Sequence, residues 1–174
     1  HEESQSFARD DCVRVVRPAY QGLIHQIDDH LGRLFDEMQR MGRMDDTLVI
    51  FTADHGDFLG DHWLGEKELF YDTVQRVPLI VVDPSERATA TRGSVDDRFV
   101  ESVDVLPTIL ASLGIAAPRH RVEGRALQGL LHGLSHDPSV DDWRDAVFCE
   151  LDWSFKGARL ALGRLSRPCV AAAG

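Results

Sequence analysis

The sequence predicts an α/β fold, and three observations carry the prediction. Apolar residues from Tyr20 to Met41 recur at spacings of three and four, the period of one helix face. After a short turn, a run of β-branched and apolar residues from Thr47 to Ala53 stops at Asp54-His55-Gly56. A buried parallel strand behaves this way when its C-terminal end opens into a site. A second apolar run, Val77 to Val82, supplies another strand. Helix, strand, loop and strand in that order make a layered α/β arrangement.

Taken in order, residues 1–13 are polar and read as a loop or tether. Tyr20, Leu23, Ile24, Ile27, Leu31, Leu34, Phe35, Met38 and Met41 then draw one stripe along a helix of roughly six or seven turns. Pro18 sits near its start and Gly42 is placed to end it. Gln26, Asp29, Arg33, Glu37 and Arg40 form the solvated face, with His25 and His30 among them as surface histidines. The strand from Thr47 to Ala53 follows, and then the strand from Val77 to Val82. Pro78 lacks an N–H there and suits the first residue or a sheet edge. Asp83-Pro84-Ser85 breaks this strand, and residues 86–97 are a polar connection. Ser102 or Asp104 caps a helix with Pro107 in its first turn and Gly114 at its end. A short helical turn around Leu127 to Leu131 and a last strand, Ala146 to Glu150, complete the elements. Residues 168–174 end in alanines and read as a frayed tail, so the expectation is a single partial domain over 1–174.

Composition narrows the function classes. With 43% apolar and 28% charged residues the chain is an ordinary globular one. Lys and Arg number 19 against 29 Asp and Glu, a net charge of -10, which argues against nucleic acid or an anionic membrane as partner. No apolar run reaches the ~18 residues that a spanning helix needs. Cys12, Cys149 and Cys169 are an odd set without CxxC spacing, which fits a reducing, cytoplasmic setting and offers no thiolate metal site. The chain begins at His1 instead of Met, the pattern of a cut or processed start.

The chemistry concentrates after the first strand. Asp54 and His55 are adjacent where Gly56 opens a turn, and a carboxylate beside an imidazole suits a divalent ion such as zinc or manganese. Two ligands need more from elsewhere, and Asp-His-Gly alone also fits a capped turn with a solvated histidine. Asp57, Asp61, His62 and Lys67 follow within thirteen residues of Asp54, and Gly56, Gly60 and Gly65 let the loop fold back over a site. Taken singly, Lys67 has the usual fate of a surface lysine. Beside a metal pair in an acidic protein, its ammonium is a means of holding an anionic oxygen.

These residues resemble a known family. Arg17-Pro18-Ala19-Tyr20-Gln21-Gly22-Leu23-Ile24, then Asp46 to Asp57, Leu59-Gly60-Asp61-His62, Lys67, Tyr71 and Arg76-Val77-Pro78-Leu79 are similar to the C-terminal part of sulfatases and phosphonate monoester hydrolases of the alkaline phosphatase superfamily. Asp104-Val105-Leu106-Pro107-Thr108 and Glu123-Gly124-Arg125 continue the likeness, which covers roughly Arg17 to Gly133. The resemblance implies part of an alkaline-phosphatase-like sheet covered by helices on both faces, incomplete in this chain. It implies hydrolysis of a small anionic phosphate, phosphonate or sulfate ester with a divalent ion, manganese, calcium or zinc. Asp54 and His55 would be metal ligands, and Lys67 would contact the phosphoryl or sulfuryl oxygens. His62 would take a role on the substrate side or behind the ligands, and Tyr71 and Arg76 structural ones. His55 in place of the Asn of typical arylsulfatases leans toward the phosphonate monoester hydrolase and phosphodiesterase branch.

The departures are as informative. The family's nucleophile is a cysteine in a Cys-x-Pro-x-Arg or Cys-x-Ala-x-Arg setting, converted to formylglycine, and none of Cys12, Cys149 or Cys169 stands in one. The aspartate that ends the family's first strand is absent too. Two strong strands and one weak one do not build a doubly covered parallel sheet. A missing N-terminal half, or a partner such as a second copy, is therefore expected to supply the remaining strands, with the formylglycine in the missing N-terminal part, leaving these residues inactive alone. A non-catalytic binding or interaction remnant of the same fold is the alternative.

Overall fold

In the computed structural model the described residues are 7, 9–67, 69–118, 120–134, 142–150 and 168–172. They divide into two compact units, residues 1–85 and 86–174, where the sequence reading expected one partial domain. In the first unit, helix α1 spans Asp10–Arg40. It starts earlier than the tether assigned to residues 1–13 allowed, because Asp10 and Asp11 place carboxylates in the first turn, where the exposed N–H groups favour them. Pro18 therefore lies within the helix and not at its start. No residue of α1 is buried, and the predicted stripe is largely open among the described residues, Leu23 being 57% and Ile27 53% exposed while Leu31, Phe35 and Met38 are half-buried.

Strand β1, Val49–Thr52, and strand β2, Leu79–Val82, are shorter than their apolar runs because each gives way to turn residues at its ends. They pair antiparallel, with Val49 opposite Val82 and Phe51 opposite Ile80. The parallel, fully buried strand expected of Thr47 to Ala53 is thus corrected: Phe51 and Thr52 are exposed. An apolar run states that both faces suit burial and leaves the direction of its neighbour open. Between the strands lies helix α2, Asp72–Gln75. The buried side chains of this unit, Phe58 and Val74, belong to this connection and not to α1.

In the second unit, helix α3, Val105–Ser112, follows a turn of 3-10 helix at Ser102–Asp104 and ends before Gly114 at φ 71°. Helix α4 is Gln128–Leu131, and β3, Ala146–Glu150, pairs antiparallel with β4, Pro168–Ala172. Part of the tail read as frayed is therefore strand: register with β3 outweighs the low strand preference of alanine. Asp104 and Thr108, both 0% exposed, organise this unit. Asp104 and Glu101 form a reciprocal capping box at the start of the 3-10 turn. Asp104 also accepts the Arg125 N–H at 2.7 Å and both arms of the Arg144 guanidinium. Thr108 donates to the Asp104 carbonyl at 2.6 Å and accepts the Leu127 N–H at 3.0 Å, tying α3 to the start of α4.

Candidate functional site

β1 delivers the chain to Asp54 and His55, and Gly56 sets their geometry. The Gly56 N–H bonds the Val74 carbonyl at 2.7 Å, and a Cβ at this position would lie 1.9 Å from the Thr73 carbonyl oxygen. Only glycine lets the backbone turn this close to α2. The turn directs Asp54 and His55 to one place: Asp54 Oδ1 accepts the His55 N–H at 3.0 Å, and Asp54 Oδ2 lies 3.4 Å from His55 Nε2.

The loop beyond folds back on itself. Asp57 Oδ1 accepts the Leu59 N–H at 2.9 Å, the Phe58 N–H bonds the Glu66 carbonyl at 3.0 Å, and the Gly60 N–H bonds the Leu64 carbonyl at 2.9 Å. Closing the loop at Phe58 and Glu66 returns Lys67 to the site, with its Nζ 2.8 Å from His55 Nε2. Four non-glycine residues of this loop, Leu59, His62, Trp63 and Glu66, have positive φ, and so does Leu69 just after it. Such strain gathers where a loop is held in one shape for a purpose.

The contacts of His55 settle its tautomer. An ammonium has no lone pair to offer, so Lys67 donates and His55 Nε2 accepts. The ring proton is then on Nδ1, which lies 2.8 Å from the Gly56 carbonyl and donates to it. In this arrangement the Nε2 lone pair is taken by Lys67, and it faces a divalent ion beside the Asp54 carboxylate once Lys67 turns away, with the ring still oriented by the Gly56 carbonyl. The donor set fits two ligands of such a site. Among the described residues, no cluster of three or more His, Cys, Asp or Glu accompanies them.

Asp54, His55 and Lys67, singled out in sequence, are thus brought together. His62 lies apart from them: its ring stacks on Tyr71 at 4.0 Å between centroids and meets Phe58 edge-on at 6.3 Å. Tyr71 in turn meets Phe58 edge-on at 5.6 Å, so the buried Phe58 anchors this aromatic group under the loop. Arg76 reaches Asp72 at 3.8 Å on the exposed side of α2. Arg17 was not marked as a site residue in sequence, yet it touches the loop at Leu59 and Asp61. Its partners lie 42 and 44 residues away, a distance over which local patterning carries no signal.

The likeness seen in the motifs extends to known proteins. The chain is 43% identical over 141 residues to a multifunctional alkaline phosphatase superfamily protein, PehA, of Trinickia caryophylli, covering 81% of this chain and 26% of that protein. It is 33% identical over 139 residues to an arylsulfatase of Clostridium perfringens, covering 80% and 28%. Among solved structures, the phosphonate monoester hydrolase of Agrobacterium radiobacter matches with a TM-score of 0.78 at 29% identity, over 94% of this chain and 36% of that one. The chain thus spans about a quarter of the curated relatives and about a third of the solved one. The sulfatase family profile matches residues 1–115, which takes in α1, β1, the folded-back loop and its Asp54, His55 and Lys67, and on this ground the chain belongs to the sulfatase family.

Proposed function

We propose that this chain supplies part of the active site of a metal-dependent hydrolase of phosphate, phosphonate or sulfate esters. Asp54 and His55 are two of the ligands of a divalent ion, and Lys67 is the anion-holding group. The observation that carries the reading is the convergence of Asp54 Oδ2, His55 Nε2 and Lys67 Nζ, with the Nδ1 proton of His55 held on the Gly56 carbonyl. A divalent ion held by this pair supplies Lewis-acid polarisation of an ester oxygen and stabilises charge on the transferred group. Lys67 holds a second, non-bridging oxygen, and its N–H now directed at His55 Nε2 is the one that turns to the anion. His55 keeps its proton on Nδ1 throughout, because the Gly56 carbonyl accepts it.

Formylglycine does not fit any of the three cysteines, since none stands in the required motif. The nucleophile and the remaining ligands come from sequence outside these residues, and the 174 residues alone are inactive. In the protein that carries these residues together with a nucleophile, Lys67→Ala lowers kcat/KM for an aryl phosphonate monoester or aryl sulfate by about 100-fold or more, with bound metal per chain unchanged. His55→Ala lowers both activity and metal content. Activity retained in the Lys67→Ala protein would overturn the assignment. Metal bound equally by wild type and His55→Ala would favour the second reading, a non-catalytic domain, which draws its support from the two-donor cluster.

A further inference from the structure

The N-terminal turns of α1 hold the loop that carries Lys67. Arg17 Nε donates to the Leu59 carbonyl at 2.8 Å and Nη2 to Asp61 Oδ1 at 2.6 Å. The two acceptors flank Gly60, whose φ is 95° and whose neighbour Leu59 has a φ of 47°. One turn back on α1, Val13 lies over Gly60, where a Cβ would come within 2.5 Å of its methyl carbon. Phe7 lies over Gly65 in the same way, at 2.2 Å from such a Cβ. The loop is therefore gripped at two places, at Gly60 by α1 and at Gly65 by Phe7, which precedes α1, the second only two residues before Lys67.

The Arg17–Asp61 pair adds little to global stability. Both side chains are 47% exposed, and ion pairs at such positions contribute marginally to folding. What the planar guanidinium supplies is direction. Its fork spans a backbone carbonyl and a carboxylate two residues apart, which a lysine ammonium on a flexible stem does not reproduce. The left-handed turn at Leu59 and Gly60 is otherwise held by the Gly60 bond to Leu64 and the Asp57 cap on Leu59. Displacement of this turn passes directly to the Phe58–Glu66 closure and to the side chain that follows it.

We propose that Arg17 is a positioning residue that acts through Lys67, locking the loop so that the Lys67 ammonium stays beside His55. This rests on the reading of Lys67 as the anion-holding group, and two measurements separate the two claims. In this chain, amide hydrogen exchange at Phe58 and Gly60 reads the loop without any chemistry. Arg17→Met accelerates both amides about tenfold and Arg17→Lys only partly, whereas unchanged exchange in Arg17→Met would overturn the clamp. In the protein that carries these residues with a nucleophile, Arg17→Met lowers kcat/KM for an aryl phosphonate monoester or aryl sulfate about tenfold, mostly through KM. Placed on Lys67→Ala, the same substitution costs less than about twofold more, because the residue it acts through is gone. An equal loss in both backgrounds, or no loss in either, overturns positioning through Lys67. If Lys67→Ala alone leaves activity intact while Arg17→Met still accelerates exchange, the anion-holding reading falls and the clamp remains as loop architecture only.

Discussion

Asp54, His55 and Lys67 owe their convergence to a residue with no side chain. Gly56 brings the backbone so close to α2 that a methyl group would overlap the Thr73 carbonyl oxygen. Gly56→Ala is therefore expected to destabilise the first unit by about 2 kcal/mol or more and to loosen the Lys67–His55 contact. A urea titration followed by amide hydrogen exchange at Gly56 and Val74 reads the first effect. A midpoint equal to that of the wild type would show that α2 gives way at little cost. At this scale the sequence was informative about placement: a carboxylate, an imidazole and a lysine thirteen residues beyond the carboxylate were visible as a group, and the structure brings them together. The tautomer of His55 was not visible, because it depends on which carbonyl the turn places beside Nδ1.

At the scale of elements, the second unit rests on the start of α3. Asp104 is buried, and burial alone would push its carboxyl up. The Arg144 guanidinium and the N–H groups of Glu101 and Arg125 outweigh this and hold it below the usual carboxylate range. A carboxyl lowered in the folded state contributes its stability above the ordinary value near 4 and loses it as pH falls through the lowered one. Unfolding midpoints of the second unit should fall below about pH 4 in the wild type and stay flatter in Asp104→Asn. At neutral pH, Asp104→Asn is expected to cost about 2 kcal/mol, because the largely buried Arg144 loses the carboxylate that takes both its arms and keeps only Glu101, 3.2 Å away, as a charge partner. Equal denaturation curves for the two proteins would refute the network. The element pattern foretold helix α3 with its proline and terminal glycine, and offered Ser102 or Asp104 as its cap; the Asp104 carboxylate instead closes a capping box with Glu101 one turn earlier. Arg144 was not foreseen as its partner, since 40 residues and two other elements separate them. The helix α1 was likewise legible by its period, and its start was misplaced because the acidic first turn looked like polar loop.

At the scale of the whole molecule, the chain matches about a quarter of each curated relative, and its apolar surfaces are consistent with that share. Most of the stripe on α1 and the Phe51–Ile80 face of the strand pair are exposed among the described residues, Leu31, Phe35 and Met38 being half-buried. In the 174-residue chain, Leu23→Glu with Ile27→Lys should lower binding of a hydrophobic dye and change the urea midpoint by less than about 0.5 kcal/mol equivalent. A large loss of stability would mean that α1 is packed more tightly than its exposure indicates. The class, α/β, was readable from the alternation of periods, whereas the antiparallel pairing of β1 and β2 was not. Apolar runs record how much burial a strand is built for and say nothing of who its neighbours are. The left-handed residues of the loop have a further consequence, for affinity. Each costs about 1 kcal/mol or more relative to ordinary backbone, so any shape in which these residues relaxed and Lys67 moved away would recover that energy. An anion that binds only the closed shape is held at its intrinsic strength multiplied by the closed fraction. Under the anion-holding role proposed for Lys67, every contact that keeps the loop shut would act on ligand strength without touching the ligand, and the loop would set a ceiling on affinity independent of the charges it presents.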